Sequence, residues 1–133
     1  MAIELRSASF EGPILLARDF ATTLSFYRTT LGLPFDGKAP YAKCVSGASN
    51  FAIADGAWWA EINGSDNPFQ GESPVSNQVL RIQVTNLDET FENLVILGEK
   101  FLTSPTSRPL MSARNVFLRD PDGRIVMLSS PLR

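Results

Sequence analysis

The sequence predicts an α+β protein built from two tandem βαβββ modules. Two observations carry this reading. A strand, an amphipathic helix and further short strands follow one another twice along the 133 residues. In addition, Leu31-Gly32-x-x-Phe35 recurs as Leu97-Gly98-x-x-Phe101, each closing a helix that follows a matched strand. The expected layout is one domain over residues 1–133. Module one takes about 10–56, a linker loop about 57–76, and module two about 77–131.

GPILLAR (12–18) is apolar at consecutive positions, as a strand covered on both faces should be. Asp19 then reads as an N-cap. Phe20, Leu24, Tyr27 and Leu31 follow at helical spacing, and Gly32 ends the helix. PFDGK, YAKCVSG and SNFAIADG read as three short strands. Residues 56–77 show no clear period, and a loop of that length is usually functional or a linker. QVLRIQV (78–84) restarts the pattern. Asn86 and Glu89 form a capping box for a helix with Leu87, Phe91, Leu94 and Leu97 on one face. KFLTS, SARNVFLRD and GRIVMLSS are the expected closing strands.

Composition removes several classes of function. A net charge of -2 is wrong for broad phosphate binding, so nucleic acid is not an expected partner. There is no histidine, which removes the commonest general base and metal ligand. Cys44 is the only cysteine, so neither an internal disulfide nor a nitrogen–sulfur zinc site can form within one chain. Ser104, Thr106 and Ser107 lack the histidine a hydrolytic triad needs. Cys44, mid-strand, reads as packing rather than as a nucleophile. Asp120-x-Asp122-Gly123 begins like a calcium loop, but the remainder is missing and a hairpin turn explains it. No signal-peptide stretch and no apolar run of ~18 residues is present, so the cytoplasm is the expected compartment and no membrane is expected.

Trp58 and Trp59 are the strongest positive signal. Neither helix nor strand patterning explains adjacent tryptophans in a polar stretch, and indole faces stack on flat ligands. The competing explanation is a dimer contact or a covered sheet edge. Phe35, Tyr41, Phe51 and Phe69 are weaker candidates that core packing would also explain.

The Asp19, Ser25-Phe26-Tyr27 and Leu31-Gly32 set, together with Asp120-Pro121-Asp122-Gly123, resembles the vicinal oxygen chelate superfamily. That group includes glyoxalase I, the extradiol dioxygenases and bleomycin-resistance binding proteins. The resemblance covers nearly the whole chain and implies curled mixed sheets around a cavity, commonly in a homodimer. It also implies metal ligands at four strand positions. Those that can be placed are Gly12, Val79 and Met127, and the fourth falls near Ala52 to Ala54. None is a metal ligand of the family's kind, so no metal and no cofactor is expected. Glu11 and Gln78 could substitute only through a one-residue slip, which reverses the face of a strand.

Strand alternation from these positions puts Ile14, Leu16 and Arg18, Arg81 and Gln83, and Ile125 and Ser129 on the cavity side. The resulting expectation is non-enzymatic sequestration of a planar, largely apolar small molecule, as the resemblance to antibiotic-binding resistance proteins implies. The expected ligand-binding set is Trp58, Trp59, Met127, Ile14, Leu16, Arg81, Phe51, Tyr41 and Arg114, with Arg81 or Arg114 pairing with an acidic group. The alternatives are a glyoxalase-like metal-dependent lyase or isomerase with displaced ligands, and a regulatory or structural module.

Overall fold

The computed structural model describes residues 11–45, 50–64, 69 and 78–132. The first half runs β1 (Ile14–Ala17), α1 (Phe20–Ser25), a π-helical turn (Phe26–Thr30), β2 (Phe35–Lys38), β3 (Tyr41–Cys44), β4 (Ala52–Asp55) and α2 (Gly56–Asn63). The second runs β5 (Val79–Gln83), α3 (Leu87–Ile96), β6 (Thr106–Arg108), a 3-10 turn (Pro109–Met111), β7 (Ala113–Arg119) and β8 (Ile125–Pro131).

The two halves fold alike. Their sheets have the orders β1-β4-β3-β2 and β5-β8-β7-β6. In each, the first and last strands pair in parallel and the others antiparallel. This is the tandem βαβββ arrangement the repeated Leu-Gly-x-x-Phe suggested.

Alternation along the strands sorts core from cavity face. Leu15, Ala17, Ile53, Val126 and Leu128 are buried in one core with Leu24, Tyr27, Leu87 and Leu94 of the helices. Ile14 and Val79, on the opposite face, remain 38% and 49% exposed. Asp19 and Asn86 cap their helices through bonds from Thr22 N–H and Glu89 N–H.

Three local expectations change. The first helix does not stay α-helical: Leu31 N–H reaches back five residues to Phe26 C=O. The wider turn buries Phe26 and Tyr27 side by side, with their rings edge to face at 5.0 Å. Gly56–Asn63, expected to be loop, is helix α2. Asp55 caps it through Ala57 N–H, and Gly64 ends it at φ 73°, a left-handed conformation that suits glycine. Its buried positions are the small Gly56 and Ala60, so no large apolar stripe announces it. KFLTS forms no strand. Phe101 makes a single bridge to Leu118 and packs its ring on Phe91 at 4.7 Å, and the edge strand is Thr106–Arg108. Residues 46–49, at the ends of two expected strands, and the remainder of the expected linker apart from Phe69 lie outside the described residues.

The Asp120-Pro121-Asp122-Gly123 turn joins the halves as well as β7 and β8. Asp122 accepts from Arg18 N–H at 3.0 Å and from Thr23 Oγ1 at 2.7 Å. Asp120 accepts from Tyr27 Oη at 2.7 Å and pairs with Arg124. Arg124 in turn donates to Leu16 C=O at 2.8 Å. Every one of these bonds except Asp120–Arg124 crosses from the second module to the first.

Candidate functional site

Residues on the cavity face of the second sheet come together in cross-strand rows. Arg81 pairs with Met127 and Met127 with Phe117; Gln83 pairs with Ser129 and Ser129 with Asn115. Neighbouring strands are about 4.8 Å apart, so each row places its side chains in contact range. A cavity of about 500 Å³ opens here, lined by Arg81, Gln83, Met111, Met127 and Ser129.

Asn115 lies beneath this face and is fully buried. Its Oδ1 accepts from Arg108 Nε at 2.9 Å, which fixes the orientation of the amide, because the flipped form would set donor against donor. The amide nitrogen then faces two thioethers, Met111 Sδ at 3.4 Å and Met127 Sδ at 3.5 Å. Sulfur is a weak acceptor, so these contacts position the methionines more than they satisfy the amide. The Arg108 guanidinium lies over the Phe117 ring at 5.8 Å. Arg108, Met111 and Asn115 were not among the residues the sequence singled out. The inward alternation of 113, 115 and 117 was the available signal for Asn115.

The remaining expected residues fall elsewhere. Ile14 and Leu16 line a second cleft of about 260 Å³ with Val79, Leu80 and Phe69, where the edges of the two modules meet. Tyr41 and Trp58 form an aromatic pair on the first module, centroids 6.2 Å apart and tilted by 55°. Trp59, also on α2, is half-buried. Phe51 turns into the core, where its ring meets Tyr27 at 5.7 Å and Phe35 at 5.3 Å, so its position is that of a packing residue. Arg114 faces helix α3 and grips Asp88 with two bonds of 2.9 and 3.0 Å. That hydrogen bonding holds the Asp88 carboxyl below its ordinary range and raises the Arg114 guanidinium. The structure therefore joins Arg81 to Met127 and separates Arg114 from both.

The family model described as Glyoxalase/Bleomycin resistance protein/Dioxygenase superfamily matches residues 10–128. The chain belongs to this superfamily. A relative in Bacillus subtilis (strain 168), the uncharacterized protein YraH, is 31% identical over 116 residues, covering 84% of this chain and 90% of the relative. A glyoxalase/bleomycin resistance protein/dioxygenase from Nocardioides shares its fold with a TM-score of 0.75 at 21% identity, over 94% of this chain and 85% of that one. A lactoylglutathione lyase from Agrobacterium tumefaciens aligns with a TM-score of 0.71 at 20% identity, over 92% and 93% of the two chains. At these identities the solved structures establish the fold alone.

The superfamily's metal positions can now be set by register. Ile14 pairs with Ala52 as Arg81 pairs with Met127. By register Ala52 holds in module one the place Met127 holds in module two, within the span 52 to 54 that the resemblance implies. The four places are Gly12, Ala52, Val79 and Met127, offering a hydrogen, a methyl, an isopropyl and a thioether. Gly12 is closed to any side chain, since a Cβ there would lie 1.6 Å from Asn50 C=O, at φ 95°. Only the sulfur of Met127 could donate, and it is a soft, single ligand. These residues do not fit the family's metal. Among the described residues no three of His, Cys, Asp and Glu gather elsewhere to replace it.

Proposed function

We propose that this chain is a non-enzymatic binding protein that sequesters a planar, largely apolar small molecule, in the manner of the resistance-type members of its superfamily. One observation carries the reading. At the four places where the superfamily resemblance would put metal ligands, the residues are Gly12, Ala52, Val79 and Met127, none of which offers a nitrogen or oxygen donor from its side chain. The cavity beside Met127 sets the thioethers of Met111 and Met127 among polar groups, Arg81, Gln83 and Ser129, that can orient a bound molecule. Pairing of two chains to close the open face belongs to the same reading. The exposed Met111 in its lining and the fully exposed Leu110 next to it in sequence support it.

The test is a titration of the purified chain with a panel of planar aromatic compounds, followed by calorimetry, with metal analysis of the same preparation. Saturable binding that weakens in Met127→Ala is the expected result. A stoichiometric metal, or no binding across a broad panel, would refute the proposal; the first outcome would favour a metal-dependent lyase or isomerase with ligands outside the four positions. Light scattering reports the oligomeric state independently.

A further inference from the structure

The described arginines are nearly all engaged. Arg28 donates to Gly37 C=O at 3.2 Å and Arg119 to Gly123 C=O at 2.8 Å. Arg114 holds Asp88, Arg124 holds Asp120, Arg108 holds Asn115, and Arg18 lies over the Phe69 ring at 5.2 Å. Arg81 is the exception: among the described residues its guanidinium has neither an acceptor nor a carboxylate. It is also the arginine that lines the cavity beside Met127.

We propose that the molecule bound on the second sheet is a carboxylic acid with a flat apolar body, and that Arg81 is its counter-ion. This rests on reading that concavity as a binding site. The chemistry favours a carboxylate for three reasons. A guanidinium fork matches its two oxygens in one plane. One cation balances one negative charge, whereas a doubly charged phosphate would leave an excess on a chain already at -2. Gln83 and Ser129 add neutral donors in the next row of the same face. The body of the ligand meets the thioethers of Met111 and Met127, soft groups that adapt to flat surfaces. Arg108 acts one step removed, as a positioning residue: through Asn115 it sets where the two sulfurs stand.

The test compares 2-naphthoate with 2-naphthamide, equal in shape and different in charge, by calorimetry on the full chain. The wild type is expected to bind the acid roughly tenfold to a hundredfold more tightly than the amide, the range of a hydrogen-bonded charged contact. Arg81→Gln is expected to equalise the two, Arg81→Lys to restore part of the difference, and Arg114→Gln to leave it intact. Circular dichroism confirms that each variant is folded. Equal binding of acid and amide by the wild type, or a preference that survives Arg81→Gln, overturns the anion assignment while leaving the concavity reading standing. If neither compound binds at millimolar concentration, the concavity reading falls and this inference falls with it.

Discussion

The phenol of Tyr27, at the start of the π-helical turn, donates to the carboxylate of Asp120 in the last hairpin, 93 positions away in sequence. Both groups are buried, and Asp120 also accepts from the backbone N–H groups of Asp122 and Arg124. Removing one partner should cost more than the bond itself, because the other group stays desolvated. Tyr27→Phe is expected to lower stability by about 1–3 kcal/mol, and Asp120→Ala, which strands Arg124, by about 3–5 kcal/mol. Urea denaturation of both variants and of the double mutant checks this. The double mutant should lose less than the sum, and strict additivity would mean the two residues do not act together.

The same pair predicts a pH dependence. Burial first, and the Asp120 charge second, hold the Tyr27 phenol above its ordinary value of 10.0. A folded pKa raised above the unfolded one gives stability that is complete below the unfolded value and is lost as the pH climbs toward the folded one. Wild-type stability should therefore fall above pH 10 by up to about 1.4 kcal/mol per unit from this group. Tyr27→Phe should lack that slope, so thermal melts of the two proteins should converge between pH 10 and 11. Parallel curves would contradict the assignment.

Gly12 should tolerate no side chain. A methyl placed there meets backbone, not a movable side chain, and φ is positive. Gly12→Ala is expected to destabilise by at least about 1–3 kcal/mol. Gly12→His, which restores a family-type ligand, should be at least as damaging and should not bring stoichiometric metal with it. A well-folded, metal-loaded Gly12→His protein would overturn the register given above.

Helix α2 depends on its cap. Asp55→Ala frees Ala57 N–H and should cost about 1 kcal/mol. Because α2 carries Trp58 against Tyr41, its tryptophan emission should also shift toward that of exposed indole. An unchanged melt and spectrum would show that the helix is held by other contacts.

Much of this architecture is legible in the sequence, because periodicity and the two Leu-Gly-x-x-Phe ends report local structure directly. The failures have specific causes. Helix α2 is two turns long and buries glycine and alanine, so it has no stripe to read. The sixth strand lies after Pro105, while the apolar run before it is drawn under α3 by Phe91. At the site, alternation found Arg81 and Met127, since partners in register share a face. Alternation along β7 also puts Arg114 on the face opposite Asn115, once the pairing of β7 with β8 fixes which face is which. Its partner there is Asp88 of α3, which only the tertiary fold brings to that face.

The two modules share one register. Ile14 opposite Ala52 and Arg81 opposite Met127 occupy equivalent places in the two modules. The two places share their backbone geometry and differ in chemistry, one hydrocarbon and the other carrying a charge. Backbone symmetry and side-chain polarity are thus uncoupled. Two ends of unlike polarity therefore sit on one frame whose backbone is nearly the same when turned end for end.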